Sequence, residues 1–254
     1  MKKKKTKDKI YNLLLVVFIA LFIISAGLLI TDLIPRFQAN NEMKDIQEEI
    51  FAGTERTHNE DGTEAEYDPV VALENINFDN LEDINSDIVG WIIIPNTNIN
   101  YPILQGTNND YYLNHTYKET YNDAGSIYLD MHNARDFSDQ NTTIYGHARL
   151  DGTMFKQLHK YKKQKGYTES PQILIATKDG VSTYNIASST IVENTYNFTQ
   201  TEYHDLVGHV EALKSSSRVY SETTVDENSK IITLSTCTDI IQDGRLIVIG
   251  VLEE

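Results

Sequence analysis

The hydrophobic positions of this chain form one long run near the N-terminus and a series of short runs further along. The long run extends from Ile10 to Ile30, and six lysines precede it. Its length matches the roughly 20 apolar residues that a helix needs to cross the hydrocarbon core of a membrane. Flanking lysines favour the cytoplasmic side. The pattern therefore predicts a basic cytoplasmic tail over 1–9 and a transmembrane signal-anchor helix over 10–30.

A cleavable signal peptide is the alternative interpretation of the same residues. Ser25-Ala26-Gly27 has the small side chains of a cleavage site. However, the apolar run continues through residues 28–30, and it is long for a signal sequence. We therefore favour an uncleaved anchor and a single-pass protein of the cell membrane, with its N-terminus in the cytoplasm and its bulk outside the cell.

The residues that follow the apolar run have a different composition. Glu and Asp crowd the stretch 42–68, and apolar side chains are scarce there. Such a segment buries too little surface to offset the entropy that ordering costs. Its first part, 40–51, fits a helical continuation of the anchor. We predict an acidic extracellular spacer over 31–69 and a folded domain over 70–254.

Beyond residue 70 the hydrophobic positions form short β-branched runs bounded by Asn, Pro, Gly and Asp, a pattern typical of strands. The predicted strands are 91–94, 99–104, 125–129, 142–146, 172–176, 183–187, 231–236 and 246–252. Many short strands with little helix between them indicate a mainly β fold. We expect a closed or nearly closed antiparallel barrel of about eight strands.

Three segments of this region depart from the strand pattern. Hydrophobic residues recur at helical spacing within 154–161 and again within 202–213, and the stretch 71–84 fits one or two short helical turns. Each apolar stripe is explained by packing against the barrel. The sequence therefore predicts a few peripheral helices.

Composition narrows the possible functions. The formal net charge of −15 argues against nucleic-acid binding, because phosphate contacts require basic surfaces. The chain has one cysteine, Cys237, which excludes an intramolecular disulfide and a Cys-rich zinc site. A lone cysteine is most often a small buried hydrophobe. A reactive role for this thiol therefore depends on its neighbours.

The strand pattern places one residue beside Cys237 and offers a second candidate at another strand end. Cys237 ends one predicted strand and Arg245 opens the next, and strands with so short a connection usually form an antiparallel hairpin. Cys237 and Arg245 should then lie at the same end of the sheet. His147, one of seven histidines, also follows a predicted strand. A guanidinium favours a thiolate and can stabilise an oxyanion, and histidine transfers protons near neutral pH, so the trio suits nucleophilic catalysis.

The segments that carry these residues resemble the signature segments of sortases, the membrane-anchored cysteine transpeptidases of Gram-positive bacteria. They are Thr233-Leu-Ser-Thr-Cys237, Arg245 at the start of the next strand, and Ile144-Tyr-Gly-His147. The chain is most similar to class B. Supporting segments are 91–102, 109–113, 125–130 and 152–155, together with a helix-bearing insertion around 196–217. The likeness spans roughly 75–252, nearly all of the predicted folded domain.

The resemblance implies a sortase-like closed barrel over 70–254 and a role for each residue. Cys237 would be the nucleophile, His147 the general acid and base, and Arg245 the group that positions substrate and stabilises the oxyanion. Ser235 and Thr236 lie at the same strand tip, where a substrate groove and ordinary strand packing explain them equally well. Ala148-Arg149 stands where class B members often have Asn-Met, so the contacts beside His147 differ. Tyr145 fits the core better than the site.

The resemblance also implies partners. These are secreted proteins with a C-terminal sorting signal of the NPxTx type, cleaved after Thr, and an acceptor amine on a peptidoglycan cross-bridge or a lipid-linked precursor. No metal or organic cofactor is implied. Two alternatives stay open: an extracellular cysteine peptidase that releases the acyl group to water, and a non-catalytic, membrane-anchored binding module in which Cys237 is simply buried.

Overall fold

The computed structural model describes residues 2–52 and 67–253. The chain forms two units, Met1–Glu42 and Met43–Glu254. Residues 53–66 of the predicted acidic spacer lie outside the described residues. The boundaries proposed at residues 9, 30 and 69 stay predictions.

Helix α1 extends from Lys2 to Ile50 and confirms the helical continuation predicted beyond residue 40. Among the described residues it contains the one segment that is long and apolar enough to cross a membrane. Its large hydrophobic side chains between Tyr11 and Phe37 are 47% to 75% exposed. Apolar side chains on all faces are typical of a helix that faces lipid. The protein thus has an apolar N-terminal helix that could anchor in a membrane.

The second unit is built on a barrel. Within 67–253, eight strands close in the order β1-β2-β3-β4-β7-β8-β6-β5. The strands are β1 Ile88–Ile93, β2 Asn100–Leu104, β3 Ile127–Leu129, β4 Asn141–Tyr145, β5 Gln172–Thr177, β6 Gly180–Val192, β7 Ile231–Cys237 and β8 Arg245–Leu252. Each predicted strand is present, so the mainly β closed barrel is confirmed.

The pairing of the strands corrects one prediction. The barrel is mixed rather than antiparallel, because β2 pairs with β3 in parallel and β4 pairs with β7 in parallel. Parallel neighbours need a crossover connection of a dozen or more residues. The loop 105–126 provides it for the first pair, and residues 146–230 provide it for the second. Periodicity within a strand carries no information about such distant pairing.

Two short helices pack against the barrel, one against β5 and β6 and the other against β1. Helices α2 (Pro69–Glu74) and α3 (Phe78–Ile84) confirm the helical turns predicted over 71–84. Each begins at a side-chain cap: Asp68 Oδ1 accepts from the Val70 amide at 2.8 Å, and Asn77 Oδ1 accepts from the Asp79 amide at 3.0 Å. They bury side chains in one core cluster with the barrel and residues 43–51.

The longer of the remaining helices lie between β4 and β7. The predicted helix 154–161 is a 3₁₀ helix, η2 (Phe155–Lys162), and α5 (Leu206–Ser215) starts four residues later than predicted. It starts there because the Asp205 carboxylate caps it by accepting from the Gly208 amide at 2.7 Å. The short elements α4 (Gln164–Glu169) and η1 (Tyr111–Leu113) were not predicted.

Candidate active site

Three neighbouring strands bring the predicted site residues to one rim of the barrel. In the parallel pair β4–β7, Tyr145 lies opposite Ser235, so both strands end at the same edge. In the antiparallel pair β7–β8, Cys237 lies opposite Arg245, which confirms the predicted hairpin. Side chains of directly opposed residues have Cβ atoms about 4.5–5.5 Å apart. Cys237 thus ends the middle strand, with Arg245 on one side and the end of β4 on the other.

A pocket of about 240 Å³ opens at this rim. The five residues singled out from the sequence all line it, namely His147, Ser235, Thr236, Cys237 and Arg245. Cys237 is exposed. An exposed thiol does not fit the alternative in which this cysteine is only a buried hydrophobe.

The position of His147 is fixed by a hydrogen bond of its imidazole ring and by the close packing of the preceding glycine. Its Nε2 lies 2.7 Å from the Leu113 carbonyl oxygen. Since a carbonyl can only accept, Nε2 carries the proton, and Nδ1 is the nitrogen left for proton transfer. A side chain at Gly146 would collide with Ile127 and come within 2.8 Å of Phe155. Glycine therefore lets the end of β4 pass close to η2.

Ser235 and Thr236 differ in their hydrogen bonds. Thr236 Oγ1 donates to the Gly146 carbonyl at 2.7 Å and ties β7 to the chain just before His147. Ser235 is 2% exposed. Its hydroxyl has no hydrogen-bond partner among the described residues. The Thr236 hydroxyl therefore has a structural role, whereas the Ser235 hydroxyl is buried beside the pocket without a partner among the described residues.

Arg245 keeps its charge available. Its Nη1 lies 3.4 Å from the Asp243 carbonyl and 3.3 Å from the Gly244 carbonyl. In the part of the chain that the structure describes, no carboxylate forms an ion pair with its guanidinium. A guanidinium without a counter-charge beside the pocket can bind a carbonyl oxygen or a developing oxyanion.

Sequence reasoning missed part of the pocket wall. Asn109, Leu113, Tyr128 and Tyr145 also line it. All four lie in segments that carry the family resemblance, but the sequence favours a core position for Tyr145. It packs against the core and also reaches the pocket.

A buried carboxylate supports this wall from behind. Asp130 is 3% exposed and accepts from the Tyr145 hydroxyl at 2.7 Å and from Asn109 Nδ2 at 2.9 Å. The amide of His132 donates to it as well, at 2.9 Å. Burial raises the pKa of Asp130, but these hydrogen bonds outweigh burial and hold it below its ordinary value. Burial and the Asp130 carboxylate both raise the pKa of Tyr145, which stays a neutral donor.

We expect Asp130→Asn to destabilise the protein by about 1–3 kcal/mol at neutral pH, because it sets an amide donor against existing donors. The folded-state pKa of Asp130 lies below the ordinary value of 3.8, so its contribution is present above that value and is lost as the pH falls through the folded pKa. The free energies of unfolding in urea should therefore differ between variant and wild type at neutral pH. They should converge as the pH falls through the folded-state pKa of Asp130. The exposed control Asp179→Asn should stay within about 0.5 kcal/mol of the wild type throughout; a gap for Asp130→Asn that widens in acid would contradict the prediction.

Among the described residues, no cluster of three or more His, Cys, Asp or Glu side chains could hold a metal ion. The groups that meet at the rim are instead a thiol, an imidazole and a guanidinium. Those are the groups of a β-barrel protein equipped for cysteine-dependent acyl transfer. The family model of the Sortase domain matches residues 92–253, and the chain belongs to the sortase family. Membership of this family supports the prediction that the protein is a sortase transpeptidase.

Its relatives place it beside sortase B. The chain is 36% identical to sortase B of Listeria monocytogenes serovar 1/2a over 215 residues, which cover 78% of this chain and 86% of the relative. It is 34% identical to sortase B of Staphylococcus aureus over 178 residues, which cover 68% and 73%. The predicted likeness to class B is therefore confirmed.

Solved structures agree with this placement. The Staphylococcus aureus sortase B–substrate complex superposes with a TM-score of 0.65 at 34% identity and covers 70% of this chain and 84% of its own. Sortase B from B. anthracis, in complex with AAEK1, gives a TM-score of 0.71 at 28% identity and covers 87% and 99%. The closed barrel thus matches the sortase B structures.

Proposed function

We propose that the protein is a sortase that uses Cys237 to cleave a sorting signal and to transfer the resulting acyl group to an amine. The observation that carries the proposal is the meeting of Cys237, His147 and Arg245 around one pocket in a chain of the sortase family. An exposed nucleophile, a proton carrier and a free cation are the groups that amide cleavage through a covalent intermediate requires.

The first half-reaction forms a thioester. In the reactive form Cys237 is a thiolate and His147 is an imidazolium that also carries a proton on Nδ1. The thiolate attacks the carbonyl carbon of the Thr residue in the sorting motif. The negative charge that develops on the carbonyl oxygen is stabilised by Arg245. As the carbon–nitrogen bond breaks, His147 gives a proton to the leaving amine, and the acyl group stays on Cys237.

The second half-reaction releases the acyl group from Cys237. An incoming amine attacks the thioester and gives a proton to His147, the carbon–sulfur bond breaks, and a new amide forms. The thiolate of Cys237 is regenerated. Because the enzyme returns to its starting state, no cofactor or external energy source is consumed.

Ser235 and Thr236 act through the shape of the pocket in this proposal. The Ser235 hydroxyl is buried without a hydrogen-bond partner among the described residues, and the Thr236 hydroxyl is bonded to the Gly146 carbonyl.

The partners follow from the family and from the N-terminal helix. We assign a C-terminal sorting signal of the NPxTx type on secreted proteins as donor, and the amine of a peptidoglycan cross-bridge or a lipid-linked precursor as acceptor. A Staphylococcus aureus sortase B–substrate complex is among the structures similar to this chain, which supports a sorting-signal substrate for this protein as well. The helix within residues 10–30 anchors the protein once in the cell membrane, with the lysines inside and the barrel outside.

Product analysis tests the proposal against the peptidase alternative. The protein is incubated with an NPxTx-type peptide, with and without triglycine or diaminopimelic acid as acceptor, and the products are identified by mass. We expect amide product with the amine present. Acid as the product under both conditions would show a peptidase, and no cleavage with any peptide would contradict the proposal.

Arg245→Lys should lower kcat/KM by about 100-fold, because a lysine keeps the charge but loses the planar fork that holds an oxyanion. Arg218→Lys is the matched control, since Arg218 lies outside the residues that line the pocket. Steady-state cleavage of the sorting peptide gives both values. An Arg245→Lys enzyme as fast as the wild type would remove Arg245 from the mechanism.

A further inference from the structure

The short helix η2 is bonded to the main chain of both proposed catalytic residues. At its start, the Phe155 amide donates to the His147 carbonyl at 2.9 Å. In its last turn, His159 Nε2 lies 2.9 Å from the Cys237 carbonyl oxygen. The helix η2 thus connects the main chain of His147 to the main chain of Cys237.

The hydrogen bonds of His159 define its protonation. The Cys237 carbonyl can only accept, so Nε2 carries the proton and donates. On the other side of the ring, Lys162 Nζ lies 3.3 Å from Nδ1 and donates to it. Both bonds are satisfied by one tautomer of a neutral imidazole. Burial lowers the pKa of His159, and Lys162 and Lys156 lower it further, against the opposing effect of the Cys237 carbonyl.

Packing makes η2 a firm support. Phe155, Leu158 and Tyr161 are each 0% exposed. The Tyr161 hydroxyl donates to the Ser170 carbonyl at 2.8 Å. These anchors hold the helix from its buried side and leave His159 half-buried, turned toward the end of β7. Lys162 also reaches Asp239 at 3.3 Å, but Asp239 is 87% exposed, so this ion pair adds little.

We propose that His159 is a positioning residue, which fixes the main chain of Cys237 through its carbonyl and so sets the thiol at a constant separation from His147. The proposal rests on the proposed function, in which Cys237 is the nucleophile. His159 is not among the residues that line the pocket, so it acts through Cys237 rather than on the substrate. A displacement of about 1 Å in an active site can cost 100-fold in rate, so a single lost anchor has a measurable effect.

Two substitutions separate positioning from simple stability. His159→Leu removes the donor at similar volume, and His159→Gln replaces it with an amide nitrogen near the position of Nε2. We expect His159→Leu to lower kcat about 10-fold with KM within about twofold of the wild type, because the residue does not touch substrate. His159→Gln should recover to within about threefold of the wild type. The exposed control His204→Leu should match the wild type.

Lys162→Met tests the same chain of contacts without removing the imidazole. It should lower kcat by a smaller factor of about 3, since only the bond to Nδ1 is lost. The double variant His159→Leu, Lys162→Met should be no slower than His159→Leu alone, because Lys162 acts through His159. Additive losses would show two separate roles and overturn this part of the proposal.

Alkylation of Cys237 by iodoacetamide provides a readout that needs no sorting peptide. The rate should change in His159→Leu and return in His159→Gln, with unfolding temperatures measured alongside. Wild-type rates of cleavage and alkylation in His159→Leu, or a Gln variant as impaired as the Leu variant, would overturn the proposal. If the wild type itself transfers no acyl group, the proposed function fails, while the alkylation comparison still decides whether His159 positions the thiol.

Discussion

Replacing Cys237 by alanine should abolish cleavage and transfer, with a loss of at least about 10⁴-fold in kcat/KM, because the variant has no nucleophile from which to form the thioester. The chain contains no other cysteine that could take its place. The side chain is exposed at the end of β7, so its truncation opens no core cavity. Peptide cleavage followed by chromatography measures the loss.

Thermal unfolding and peptide binding of the alanine variant serve as controls for folding. Its thermal unfolding should match the wild type, and it should still bind the sorting peptide, since Ser235, His147 and Arg245 remain around the pocket. Residual cleavage at a substantial fraction of the wild-type rate would show that another group attacks the substrate. The mechanism through Cys237 would then be wrong.

His147→Gln should lower kcat/KM by about 10³-fold, with KM close to the wild-type value. Glutamine keeps an N–H near the position of Nε2, so the contact to the Leu113 carbonyl, 2.7 Å in the wild type, can persist. It has no counterpart of the basic Nδ1 and cannot carry a proton. The variant therefore removes proton transfer while keeping the local structure.

An activated substrate tests the reason for this loss. An aryl ester of the same peptide releases a phenolate, which leaves without a proton, so acylation of His147→Gln by the ester should approach the wild-type rate. The matched control His204→Gln should behave as the wild type with both substrates. An equal defect of His147→Gln with the amide and the ester would indicate a role in positioning instead of acid catalysis.

Local patterns were sufficient to predict much of this molecule. Runs such as 231–236 and 246–252 are β-branched and short, and both became strands of the barrel. Their short connection was enough to place Cys237 opposite Arg245, because a hairpin register depends on nearby residues. The length of the apolar run over 10–30 was enough to predict a long apolar helix there.

Distant contacts were beyond such patterns. The parallel pair β4–β7 joins strands with many residues between them, so the meeting of His147 with Cys237 came from the family resemblance and not from spacing. The support of Tyr145 by Asp130 and the bond from His159 to the Cys237 carbonyl likewise join separate segments. His159 lies in the stretch 154–161, whose spacing predicts a helix, but the bond from its ring to β7 depends on how that helix packs in three dimensions.

The central claim, a thioester on Cys237 that an amine resolves, is tested most directly by intact-protein mass spectrometry. The enzyme is mixed with an NPxTx-type peptide in the absence of amine, quenched in acid, and mapped to locate the modification. The account predicts an added mass equal to the N-terminal part of the peptide, through Thr, on Cys237. Addition of triglycine should then remove that mass and yield an equal amount of amide product. Amide product that forms while Cys237 never carries the acyl group would contradict it.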